Sequence, residues 1–69
     1  MALSEIKLVL INGLSLILED SETITAIALM LQTDNQMLTM IDWIYKHQKE
    51  NPSEDRVLRI AKLIEEQVS

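Results

Sequence analysis

Apolar positions along the chain fall into four runs separated by short polar breaks. The first, Ile6-Lys7-Leu8-Val9-Leu10-Ile11-Asn12-Gly13-Leu14-Ser15-Leu16-Ile17-Leu18, carries two signals at once, because Asn-Gly between apolar stretches is a strong hairpin mark. Periodicity separates the readings. At about 100° per residue, Glu5, Asn12, Ser15 and Glu19 gather in a sector of roughly 80°, one polar stripe on an otherwise apolar helix. As strands, the same residues put Leu8, Leu10, Leu14, Leu16 and Leu18 on one face and Val9, Ile11 and Ile17 on the other. A hairpin apolar on both faces needs a packing layer on each, which 69 residues hardly supply. The pattern predicts a helix over about 4–18, capped by Ser4. Gly13 costs about 1 kcal/mol there relative to Ala, and its missing side chain lets another helix approach closely.

Asp20 and Ser21 then offer an N-cap for a second helix, about 22–32, in which Ile24, Ile27, Ala28 and Leu31 recur at helical spacing. Thr33 with Gln36 three residues on matches a capping box and opens a third helix, about 34–50. Met37, Leu38, Met40, Ile41, Ile44, Tyr45 and Gln48 share one side of it; Asn35, Thr39, Asp42, Lys46 and Lys49 share the other. Asn51-Pro52-Ser53 stops that helix and starts the last, about 54–67, with either Asn51 or Ser53 as its cap. There Val57, Ile60, Ala61, Ile64 and Val68 form a stripe widened by Leu58 and Leu63. The fold class expected is all-α, a compact bundle of four short helices in one domain over residues 1–69, with short loops favouring antiparallel neighbours.

Composition sharpens this picture. The apolar share is 48% with almost no aromatics, Trp43 and Tyr45 being the two, so the core is expected to be built from Leu, Ile, Val, Met and Ala. One Gly and one Pro are too few for the turns of an all-β chain. Zero Cys excludes disulfides and thiolate metal sites. No apolar run reaches the roughly 20 residues of a spanning helix, so no membrane role and a cytoplasmic location are expected.

The first helix has an apolar surplus. Its apolar face is far wider than the roughly 100° stripe that a surface helix buries, and a core this small has limited capacity. Pairing of two first helices across a two-fold axis, with Leu10, Leu14 and Ile17 as the self-association residues, removes the surplus because an isologous contact buries one patch twice. A homodimer is therefore expected; the alternative is that the later helices wrap the first one completely.

Few residues carry chemistry. His47, the sole His, has neither a His at helical spacing nor a Cys cluster to complete a metal site. Glu65 and Glu66 are adjacent and diverge by about 100° on a helix, so they form no carboxylate dyad. No Gly-rich phosphate loop or nucleophile elbow is present. No catalytic residue, metal or cofactor is expected. Trp43 sits between the polar face and the Met stripe, half-exposed beside Met40, Met37 and His47, a set suited to anchoring a protein partner.

Charge argues against polynucleotides. The net charge is −5, all of it within residues 1–45, where Lys7 faces Glu5, Glu19, Asp20, Glu22, Asp34 and Asp42. In the balanced remainder, Arg56 and Arg59 lie on one side of the last helix as candidate anion or nucleic-acid contacts. The competing expectation is a solvated face with pairs such as Asp55 with Arg59 and Lys62 with Glu66.

Asn51-Pro52-Ser53 followed by Val57-Leu58-Arg59-Ile60-Ala61-Lys62-Leu63 resembles the closing helix of phage-repressor-type helix-turn-helix domains. The resemblance implies DNA binding through this helix. Upstream the chain departs from that family: the Ala28 to Leu31 segment lacks the Gly of the helix turn, and no recognition helix rich in Arg, Gln, Asn or Ser follows. The sequence therefore favours a small acidic interaction or accessory protein, with transcription regulation as the alternative.

Overall fold

A computed structural model describes residues 4–69. The described chain forms four α-helices, α1 (Glu5–Ile17), α2 (Ser21–Met30), α3 (Asp34–His47) and α4 (Glu54–Gln67), with a 3₁₀ turn at Gln48–Glu50 after α3. Each helix starts where a side chain takes over an amide that the helix leaves unpaired. Ser4 accepts from the Lys7 amide, Asp20 from Glu22 and Ser53 from Arg56. At α3 the full capping box forms: Thr33 Oγ1 accepts from the Gln36 amide, and Gln36 Oε1 accepts from the Thr33 amide. Between α3 and α4 the chain reverses through Asn51 in the left-handed region, φ 49°, a conformation Asn tolerates better than most residues. Ser53, rather than Asn51, is the cap of α4.

The Asn12-Gly13 pair lies inside α1, so the helix reading of the first segment holds and no strand occurs among the described residues. The helices pack as a ring in the order α1, α3, α4, α2, with α1 against α3 the most extensive contact. Polar contacts fix the directions. The N-terminal turn of α1 meets the C-terminus of α2 through Lys7. The N-termini of α2 and α4 meet through Thr23 and Glu54. The start of α3 meets the end of α4 through Gln36.

One core fills the ring: Leu10, Leu14 and Leu18; Ile27 and Leu31; Met37, Met40 and Ile44; Val57, Ala61 and Ile64. It contains no aromatic ring, as the composition implied. The radius of gyration, 10.9 Å, equals the roughly 11 Å of a fully collapsed chain of this length.

Two expectations are corrected by this packing. Leu10 and Leu14 have no exposed surface and Ile17 is half-buried, because their stripe is the one that α1 turns toward the ring axis. That stripe is intramolecular core, and it leaves Leu10 and Leu14 nothing to offer a second chain. The complete wrapping of α1 does not occur either, since Leu8, Val9 and Leu16 stay in water at 45%, 42% and 59% exposure. Gly13 is buried against α3, yet a Cβ there would stand 3.5 Å from Ile44 Cδ1, ordinary contact, so the helices do not need a glycine to reach this separation.

Candidate functional site

Three buried or half-buried polar side chains hold the helix ends and leave the rest of the surface free to act. Lys7 points its ammonium at the C-terminus of α2, donating to the Ala28 carbonyl and, at 2.9 Å, to the Leu31 carbonyl. It supplies the cation that the last turn of α2 lacks and answers carbonyls that the helix cannot pair. Gln36 is buried and uses its whole amide. Its Oε1 accepts from the Gln32 and Thr33 amides at 3.0 and 3.2 Å, while its Nε2 donates to the Glu65 and Val68 carbonyls at 3.2 and 2.9 Å. The Thr23 hydroxyl lies 2.9 Å from Asp20 Oδ2 and 3.1 Å from Glu54 Oε1, one proton shared between carboxylates of two helix N-termini. The pattern singled out Gln36 as part of a cap; its second role, closing the end of α4, depends on a partner 29 to 32 residues away.

At the other end of the α3–α4 pair, four side chains form a half-exposed cluster. Trp43 and His47, one turn apart on α3, place their ring centroids 4.7 Å apart at 30°. His47 Nδ1 lies 3.0 Å from Glu50 Oε2, and the Arg56 guanidinium donates to Glu50 Oε1 at 2.8 Å. That guanidinium also covers the Trp43 ring, with Cζ 5.4 Å from the centroid, within the roughly 6 Å range of cation–π attraction. The Arg56 and His47 hydrogen bonds together hold the Glu50 carboxyl below its ordinary range.

This arrangement unites residues that the sequence assigned to different roles. Trp43 and His47, expected as a partner anchor, share a site with Arg56, expected as an anion contact. Arg56 is already held by Glu50, whereas Arg59 is exposed on the flank of α4. Met37 and Met40, placed with Trp43 in the expected anchor, are corrected: they are core residues, because with Ile44 they occupy the sector of about 60° that faces the ring axis. The expected pairs Asp55 with Arg59 and Lys62 with Glu66 do not form; the ion pairs among the described residues are Lys46 with Asp42 and Arg56 with Glu50, and the His47 ring nitrogen lies within hydrogen-bond distance of the same Glu50 carboxylate.

Apolar exposure is the other property of the surface. Leu8, Val9 and Leu16 on α1, Leu29 on α2, Leu38 and Tyr45 on α3, and Leu63 on α4 are each more than two-fifths exposed. Lys7, Ile11, Ile24, Thr25, Ala28 and Leu29 line an open groove of about 200 Å³ between α1 and α2. On α1 the exposed apolar side chains are Leu8, Val9 and Leu16, whereas Leu10 and Leu14, expected for self-association, are buried and Ile17 is half-buried. Leu38, Tyr45 and Leu63 belong to the apolar stripes of α3 and α4 yet stay exposed, because a ring of four short helices buries narrower sectors than those stripes span. No group of three or more His, Cys, Asp or Glu placed to hold a metal ion occurs among the described residues, and no helix among them is long and apolar enough to cross a membrane. The chain matches no protein-family model, no curated protein sequence and no solved structure.

Proposed function

We propose that the chain is a small, acidic, non-catalytic interaction protein that self-associates and, in that form, engages another protein as an accessory or regulatory factor. The observation that supports this reading is the apolar exposure, concentrated on α1, of a chain whose core is otherwise complete. The Trp43, His47, Glu50 and Arg56 cluster is the second contact surface. Its aromatic and guanidinium groups are the types in which binding energy concentrates, and their mutual contacts fix them before a partner arrives.

Sedimentation equilibrium across a dilution series tests the self-association. The expected result is a mass that climbs above 7.9 kDa as concentration rises; a mass of one chain throughout overturns it. For the partner surface, Trp43→Ala combined with Arg56→Ala is expected to abolish partner engagement while leaving the helical circular dichroism in place. Undiminished engagement by that variant removes the cluster from the reading.

A further inference from the structure

The groove of about 200 Å³ between α1 and α2 is walled by the aliphatic side chains of Ile11, Ile24, Ala28 and Leu29, with Lys7 and Thr25 as its polar lining and no carboxylate in it. Lys7 is half-buried. Ala28 is both a wall of the groove and the source of one of the two carbonyls that hold the ammonium, so the charge stands at the groove's edge, beside the last turn of α2.

That charge has no counter-ion. Lys7 is the one cation of residues 1–45, yet none of the ion pairs among the described residues includes it. An ammonium has three N–H donors. Two go to the Ala28 and Leu31 carbonyls, and the third has no partner among the described residues. The Thr25 hydroxyl also makes no hydrogen bond to them, whereas the hydroxyls of Ser15 and Thr39 return to the carbonyls of their own helices. Apolar walls with a few polar groups are the ordinary build of a small-molecule site.

We infer that this groove binds a small apolar monocarboxylate, its carboxylate on the Lys7 ammonium and its alkyl chain against Ile11, Ile24, Ala28 and Leu29. The site lies apart from the Trp43 cluster and needs no second copy of the chain. Size sets the tail: an apolar cavity of about 150 Å³ accepts a six-carbon ring, so the groove takes roughly six to eight carbons. Charge sets the head. One ammonium answers one carboxylate, and a net charge of −5 disfavours a phosphate dianion or a polyanion. The nearest acid along α2, Glu22, borders the neighbouring hollow with Ser21 and Ala26. It stands six residues, about 9 Å of helix, from Ala28, which directs the carboxylate to the Lys7 end. Without the ammonium, the partial negative charge at the C-terminus of α2 repels a carboxylate, so the preference depends on that one side chain.

Octanoate is the probe, titrated below its micelle threshold and followed by amide chemical shifts. The expected result is saturable shifts centred on Ile11, Ile24, Ala28 and Leu29, with octanoate bound at least about tenfold more tightly than octanol or octylammonium. Acetate, which has the head and no tail, is expected to give none. Lys7→Met should remove the advantage of octanoate over octanol. Thr25→Glu, at an exposed position, sets a second carboxylate in the groove and should weaken octanoate at least about tenfold with unchanged helical circular dichroism; this variant decides the matter if Lys7→Met does not fold. Octanoate that binds no better than octanol, shifts that fall outside the groove, or undiminished binding by Thr25→Glu overturns the site.

Discussion

The two ends of the α3–α4 pair are both held by polar side chains, and they are opposite in kind. At one end the neutral Gln36, buried, saturates all four hydrogen-bonding positions of its amide with backbone groups. At the other end charged and aromatic side chains bond mainly to one another, and Glu50, His47 and Arg56 retain much of their contact with water. Two clusters of similar bond count therefore do different work. A buried amide whose partners are backbone groups without alternatives resists loss strongly, while exposed ion pairs exchange one set of good contacts for another with water. The first end fixes the fold, and the second remains available for binding.

Gln36→Leu gives the largest expected effect on stability. It leaves the Glu65 and Val68 carbonyls and the Gln32 and Thr33 amides without this partner, a loss of about 2–3 kcal/mol. At roughly 4–8 °C per kcal/mol for a domain of this size, thermal denaturation should fall by at least about 8 °C. A melting temperature within about 2 °C of the unaltered chain would break the contrast between the two ends. Lys7→Met comes next, at about 1–2 kcal/mol, because it keeps much of the stem's packing and removes the charged donor from the end of α2. Chemical denaturation checks it, and the loss should be smaller than that of Gln36→Leu.

Gly13→Ala is expected to move the other way. Its Cβ would meet Ile44 at 3.5 and 3.7 Å, in ordinary contact, and the helix gains the propensity that Gly lacks, so stability should rise by about 0.5–1 kcal/mol. A decrease in the denaturation midpoint would show that α1 and α3 sit closer in solution than the structure places them.

What was legible in the sequence follows the range of the interaction. Helix ends are decided within four residues, and the Ser4, Asp20 and Thr33 caps stood at positions the pattern picked out, with α4 beginning and ending at the expected residues. The helix over residues 5–17 was legible because a polar stripe at helical period outweighed one Asn-Gly dipeptide. Ring order was not, since it depends on which helix faces match in shape. Without it, the sectors of α1 and α3 that become core could not be told from those left outside, which is why Leu14 and Met40 were placed on surfaces. The Glu50–Arg56 pair escaped for a related reason. Its six-residue separation is not a helical neighbour spacing, and it closes because Asn51 turns the chain back through φ 49°.

The smallest expected effect tests the exposed end by pH. Because the Glu50 carboxyl is held below its ordinary range in the folded chain, the folded state releases its proton more readily than the unfolded one. The stabilisation is therefore complete above the ordinary carboxylate range and is lost as pH falls through that range toward the lower folded value. Glu50→Gln removes this titration. The difference in urea midpoint between the unaltered chain and Glu50→Gln should shrink as pH falls through and below the carboxylate range. Raising the salt concentration should shrink it as well, because the pair with Arg56 stands in water where mobile ions screen it. A difference that is large, or indifferent to both pH and salt, would mean that this end is sealed from solvent like the Gln36 end, and the division of labour between the two would fail.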